Sequence, residues 1–332
     1  IQGGKIRQGT QRGFRKRAQV QAFYSILSTI LDAQYNSESS SGTSKGVTII
    51  DAGCGAGNLA IAIAGLLSQS NVNNNVNVNV LAVDVNNQAL ERLSERASRL
   101  KLFPPQTVLQ TCSADLANYD YIKSQIPSHD NVIVVSLHAC GAASDMAMNL
   151  AFQCDNAPFV ICPCCTAKSL TKRVVDENKN TNVNNVNVED PLVLDPSASF
   201  QRSGATADIE YPRSDWLQNK LSTILKNGKI NNTNSNTDEQ YTLLAKVADV
   251  GLGPQTPSQQ REHQRRAKKI VELDRVLSAM ERQGYDVRLM RIMDHDPLVY
   301  GKGELLLGAM EGSVAANVLM NLPVVDEEAV MN

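Results

Sequence analysis

Asp51-Ala52-Gly53-Cys54-Gly55-Ala56-Gly57-Asn58 follows the β-branched run Val47 to Ile50 and precedes the apolar stretch Leu59 to Leu67. A short run of Val, Thr and Ile reads as a buried strand and the stretch after Asn58 as a helix, so the glycines occupy a strand-to-helix turn. Glycine permits a tight turn and lets a ligand approach the backbone. Outward from this turn the pattern repeats, with strands at Val78–Val83, Val108–Cys112, Val132–Leu137 and Phe159–Cys162, and helices at Gln88–Leu100 and Ala142–Phe152. Before the turn, Phe14–Leu31 carries apolar residues at helical spacing. Alternating elements of this kind predict an α/β fold, a mostly parallel sheet with helices on both faces.

After a long interruption the pattern resumes with a helix at Arg261–Gln283 and two strands, Val287–Met293 and Leu305–Met310. Only a loop containing Pro297 and Gly301 separates these strands, too short for a parallel crossover, so they are expected to pair antiparallel. The chain therefore divides into a basic N-terminal helix and linker (1–46), a ligand-binding half (47–165), an insertion or substrate cap (166–260), a closing helix and hairpin (261–312) and a tail (313–332). Four polar tracts, Asn36–Gly46, Asn71–Asn79, Asn180–Asn187 and Asn231–Asp238, cannot bury enough surface to offset their ordering entropy and are expected to be loops or disordered.

The 332 residues are 42% hydrophobic and 20% charged, a globular composition, and the net charge of −2 gives no overall basic field. The apolar run Leu59–Leu67 is far shorter than the roughly 20 residues of a membrane-spanning helix. Seven cysteines, bunched near 162–165 and otherwise inside apolar runs, do not read as a secreted disulfide framework. A reducing compartment, cytoplasm or nucleus, is expected.

Aligned on Gly53 and Gly55, a dinucleotide fingerprint would need glycine at position 58, where Asn58 stands. Asp84 ends the second strand, placed to accept both hydroxyls of a ribose, and Asp115 follows the third strand in the sequence CSADL. Three carboxylates around a glycine turn suit a cationic ligand rich in hydroxyl and amino donors better than a pyrophosphate. S-adenosylmethionine fits that description. DAGCGAG, AVDVN and SADL together resemble the first three motifs of class I S-adenosylmethionine-dependent methyltransferases, and the closing strand pair resembles the reversed hairpin of their seven-stranded, Rossmann-like sheet. The resemblance implies that Asp51 and the loop of Gly53, Gly55 and Gly57 hold the methionine end, Asp84 the ribose, and Asp115 with Leu116 the adenine.

Ser136-Leu137-His138-Ala139-Cys140-Gly141-Ala142-Ala143-Ser144-Asp145 follows the fourth strand and Cys162-Pro163-Cys164-Cys165 ends the fifth. Ligands of doubly wound sheets bind beyond the carboxyl ends of strands, so both segments are expected to border one crevice. With YPRSDWL (211–217) and AKKIVELDR (267–275), they resemble a narrower group: the methyltransferase domain of glutathione S-transferase C-terminal domain-containing proteins and the tRNA 2′-O-methyltransferases of the Trm-thirteen type. The tRNA enzymes' Cys/His zinc-finger region has no counterpart in this sequence. The resemblance implies an RNA acceptor, tRNA ribose or base. A protein or small-molecule acceptor, and a non-catalytic scaffold of the same fold, are the alternatives.

An imidazole titrates near neutrality, which makes His138 a candidate general base, or else a residue that shapes the turn. Cys140, Asp145 and Lys168 complete the candidate catalytic set. Absence of a [DNS]-P-P-[YFW] motif argues against exocyclic-amine methylation of adenine. The cysteines allow three readings: a zinc site of His138, Cys140, Cys162 and Cys165, a thiolate at Cys140 or Cys164 attacking a pyrimidine, or small apolar side chains lining the crevice. Two basic stretches suit phosphates: Lys5 to Arg17 holds six Lys/Arg and no acid, and Arg261 to Arg275 holds six against three acids. Oligomeric state is not legible.

Overall fold

Val47–Ala52 forms β1, buried at all six residues, because a Val/Thr/Ile run with no polar alternation has to be covered on both faces. The computed structural model describes residues 11–38, 46–67, 78–102, 109–128, 130–139, 141–163, 165–166, 172–173, 200–201, 209–226, 237–249, 257–292 and 303–322. Around β1 stand β2 (Val78–Asp84), β3 (Leu109–Ser113), β4 (Asn131–Leu137), β5 (Phe159–Cys162), β6 (Tyr285–Arg291) and β7 (Glu304–Met310). They form one sheet in the order β3-β2-β1-β4-β5-β7-β6. β1 to β5 pair parallel, whereas β7 runs antiparallel between β5 and β6. This is the mostly parallel, Rossmann-like α/β sheet that the sequence predicts, with the expected antiparallel closing pair. Strand order reverses between β1 and β4, which opens a crevice at their carboxyl ends.

Nine helices are present among the described residues: α1 (Gln11–Glu38), α2 (Ala60–Leu67), α3 (Asn87–Arg99), α4 (Tyr119–Ser124), α5 (Ala142–Gln153), α6 (Asp215–Lys226), α7 (Thr237–Asp249), α8 (Ser258–Gln283) and α9 (Val314–Met320). Phe23, Leu27, Ile30, Leu93 and Leu319 cover one face of the sheet with the apolar residues of α2. α5, α7 and α8 cover the other through Met148, Leu150, Tyr241 and Val271. None of the helices is long and apolar enough to cross a membrane.

Several elements depart from the sequence reading. α1 runs past Leu31 to Glu38, and the last residues of the first Asn-rich tract but one, Val78 and Asn79, begin β2, where Asn79 Nδ2 donates to Asp130 at 3.1 Å. The insertion contains α6 and α7, and the expected tail contains α9, whose cap Ser313 accepts from the Ala316 N–H. α4 and α9 have six and seven residues, too few turns to show a period. Positions 180–187 and 231–236 lie outside the described residues.

Gly308 faces Phe159 across the β5–β7 pair, and a Cβ there would lie 2.5 Å from Phe159 Cε1. The ring is held by Tyr285, stacked at 5.5 Å, and by Phe152, edge-on at 6.3 Å, so it has nowhere to retreat. Gly308→Ala is expected to destabilise the fold by about 1–3 kcal/mol through overpacking, read as a lower denaturant midpoint. An unchanged midpoint would mean the aromatic trio repacks freely.

Candidate active site

The glycine turn begins where β1 ends. Gly53 and Cys54 donate their N–H groups to the Val83 carbonyl at 2.9 and 3.0 Å, tying the turn to the end of β2. Gly53 (φ +74°) and Gly55 (φ +53°) adopt the left-handed conformation that disfavours a Cβ, and a Cβ at either would meet no atom within 4 Å. Their half-buried backbone therefore borders open space. Gly57 differs, since a Cβ there would lie 2.5 Å from Leu93 Cγ. Its small size lets the turn rest on α3, and it is the packing glycine of the three.

Two carboxylates brace this turn. Asp51, 1% exposed, accepts the Ala60 N–H at 2.9 Å and so caps α2. Burial pushes its pKa up to about 7, the Ala60 bond opposes the rise, and the nearby Asp84 charge adds to it. Asp84 accepts the Gly55 N–H at 2.8 Å on one oxygen and the Asn86 N–H at 2.8 Å on the other. A carboxylate offers about four lone-pair sites, so both oxygens retain acceptor capacity for ligand hydroxyls. Asp115 is exposed beside it, because Asp84 pairs in register with Ser113 and the Ala114 N–H bonds the Asp84 carbonyl. Asp115 accepts the Ala117 N–H at 3.0 Å, while Leu116 is buried in the core below. The expected cofactor set thus lies along the carboxyl ends of three adjacent strands.

His138 and the cysteine turn also meet. The His138 N–H donates to the Cys162 carbonyl at 3.0 Å and the Gly141 N–H to the Cys165 carbonyl at 2.7 Å, which stitches the two segments into one wall. His138 holds φ +70°, a conformation uncommon for a residue with a side chain. Cys162 is fully buried and accepts from Gln19 Nε2 at 3.7 Å. Burial pushes its thiol up to about 12, against the pull of Lys268 and with a push from Glu304 and Glu272, so it is a poor source of thiolate. Cys165 is half-buried, and the described residues contain no group of three His, Cys, Asp or Glu able to hold a metal. Cys140, Cys164 and Lys168 lie outside the described residues.

Asp145 is fully buried in the first turn of α5, which follows Gly141. It accepts from Arg275 Nε (3.0 Å) and Nη2 (3.2 Å), Arg213 Nη1 (2.9 Å) and the Tyr211 hydroxyl (2.7 Å). Burial alone would raise its pKa, but Arg275 and Arg213 hold it below the ordinary carboxylate range. Arg275 also donates to the Gly141 carbonyl at 3.1 Å, so the cluster positions the turn carrying His138 rather than reaching a ligand. Sequence reading quoted the stretches that hold these partners, YPRSDWL and AKKIVELDR, without tying them to Asp145, and did not single out Arg96, which donates to the Ala56 carbonyl and pins the glycine turn to α3. Such long-range pairs leave no local spacing to detect.

Lys5 and Arg7 of the first basic stretch lie outside the described residues, whereas the part of it in α1 and the second stretch both reach the β5–β7 edge. α8 runs antiparallel to β6, which it enters through Gly284, and Lys268 pairs with Glu304, the first residue of β7, at 2.8 Å. The ten residues of α8 before Lys268, about 15 Å of helix, precede its contact with the start of β7. α1 meets the end of β5 at Gln19, so Lys16 and Arg17 stand near that edge. Arg261, Arg265 and Arg266 lie on that part of α8, and Lys269 follows Lys268.

Residues 15–172 match the family model of a methyltransferase domain, which supports a methyltransferase domain over α1 to β5. A glutathione S-transferase C-terminal domain-containing protein of Xenopus laevis is 28% identical over 156 residues, 47% of this chain and 20% of that protein. The chain thus spans about a fifth of the length of the curated relative it matches. Among solved structures, magnesium protoporphyrin IX methyltransferase from Synechocystis PCC 6803 aligns over 90% of this chain and 84% of its own, at 12% identity and a TM-score of 0.38. An rRNA methylase from Streptococcus thermophilus aligns over 36% of this chain and 61% of its own, at 18% identity and a TM-score of 0.26.

Asp51 holds its proton more tightly folded than unfolded. The stabilisation this gives is complete below the ordinary carboxylate value of 3.8 and lost as pH rises through about 7. Wild type is therefore expected to lose stability relative to Asp51→Asn between about pH 4 and 7, by up to ~1.4 kcal/mol per pH unit, with no further divergence above that window. Parallel stability curves for the two chains would show that Asp51 titrates normally.

Proposed function

We propose that this chain is an S-adenosylmethionine-dependent methyltransferase whose acceptor is RNA, tRNA ribose or base. The observation that carries the cofactor assignment is the open space over Gly53 and Gly55, beside the Asp84 carboxylate that accepts the Gly55 N–H. Backbone with no Cβ lets a flat or extended ligand lie close, and the Asp84 carboxylate beside it favours a cation over a pyrophosphate. Asp51 and the turn would hold the methionine end, Asp84 the ribose hydroxyls, and Asp115 with Leu116 the adenine. When bound, S-adenosylmethionine supplies an electrophilic methyl group on a sulfonium, transferred to the acceptor's nucleophilic atom.

The protein's contribution is mostly position. The bonds from His138 and Gly141 to the end of β5 fix one wall of the crevice, and the Asp145 cluster fixes it through Arg275. His138 is the group assigned to take the acceptor's proton. RNA is favoured as acceptor by the basic turns of α1 and α8 at the β5–β7 edge, where they would meet phosphates flanking an acceptor nucleotide.

Labelled S-adenosylmethionine incubated with total cellular RNA and, separately, total protein is expected to label the RNA fraction. His138→Asn keeps a residue that tolerates positive φ and removes the titrating ring, so kcat is expected to fall about a hundredfold with KM little changed. Label confined to protein would overturn the RNA acceptor, and full activity in His138→Asn would overturn the base.

A further inference from the structure

Gln264 is 3% exposed, yet neither its side-chain nitrogen nor its oxygen has a hydrogen-bond partner among the described residues. A buried amide left unsatisfied at both ends is costly, and in native proteins such groups call for an explanation. Gln264, Lys268 and Glu272 stand at i, i+4 and i+8 on α8, so they share one face. Lys268 on that face pairs with Glu304 at the start of β7, and Glu272 Oε1 is likewise buried without a hydrogen bond. Lys268 and Glu272 of this face, with Glu304, lie near enough to Cys162 for their charges to act on its thiol, and the Cys162 carbonyl accepts from His138. The polar cluster and the assigned base therefore flank the same residue, the last of β5.

We propose that Gln264, with the Lys268–Glu304 pair beside it, forms a recognition subsite for the edge of a nucleobase next to the acceptor atom. This rests on the RNA reading above. A side-chain amide presents one donor group and one acceptor side by side, the complement of a base edge that shows both together. The other polar ligands fit less well. A phosphate has no donor for the amide oxygen and would face Glu304 and Glu272, while an ammonium has no acceptor for the amide nitrogen and would face Lys268. The orphaned amide is thus held ready for a partner that arrives with the acceptor.

Gln264→Leu and Gln264→Glu test the proposal, the first removing the polar atoms and the second keeping size while removing the donor. Both are compared with wild type for methyl transfer from labelled S-adenosylmethionine into total small RNA, for S-adenosylmethionine binding and for thermal midpoint. The expected result is an RNA KM raised at least about tenfold in Gln264→Leu, cofactor affinity within about twofold of wild type, and a midpoint equal or higher because an unsatisfied amide has gone. Gln264→Glu is expected to raise KM in the same direction. An unchanged KM in both variants overturns the subsite, as when the amide merely binds internal water. A midpoint lowered by several degrees in Gln264→Leu overturns it too, because the amide then has a partner within the folded chain. Failure of wild type itself to methylate RNA is read without any variant and overturns the acceptor assignment, and the nucleobase subsite with it.

Discussion

The Asp145 carboxylate, fully buried, takes four hydrogen bonds from three side chains that come from distant parts of the chain. Tyr211 and Arg213 belong to the insertion, Arg275 to the helix that closes the sheet, and Asp145 itself to the first turn of α5. Arg213 is fixed further by Asn149 at 2.6 Å, and its backbone N–H by Asp274 at 3.0 Å, while Arg275 also pairs with Glu272 at 2.8 Å. Removing one member of a buried ionic cluster leaves an uncompensated charge, typically at a cost of about 3–5 kcal/mol. The insertion, α8 and the turn after β4 are therefore held together by one electrostatic knot, and the wall of the crevice inherits its shape from it.

On the cofactor side a similar economy operates with backbone donors. Asp84 joins the glycine turn to the start of α3, Asp51 joins β1 to the start of α2, and each does so with one bond per oxygen used. The same carboxylates that organise the turn are those a cationic, hydroxyl-bearing ligand would meet. Structural and binding roles are not competitors at these positions, since a carboxylate fixed by backbone N–H groups is already oriented for the next donor.

The parallel core was legible because its signals are local: β1 and β5 are continuous apolar runs, α3 and α5 show helical spacing, and the short loop between the last strands forces them antiparallel. The placement of Asp51, Asp84 and Asp115 at consecutive strand ends follows from that topology alone. Asp145 was legible as a residue of interest but not in its role, because its four donors lie 66 or more positions away along the chain. Gln264 gave no sign at all. Within a basic helix it reads as a solvated residue, and no local spacing marks it as the 3% exposed residue it is. The seven-residue α9 was missed for lack of length, and its packing on α1 is tertiary.

The account stands on a ligand held between the glycine turn and Asp84. Calorimetric titration of the purified chain with S-adenosylmethionine, beside an Asp84→Ala control whose fold is checked by circular dichroism, tests it most directly. Binding by wild type, weakened at least about tenfold in the folded variant, is the predicted result. A folded wild-type chain that takes up no S-adenosylmethionine, or a variant that binds it equally well, would contradict it.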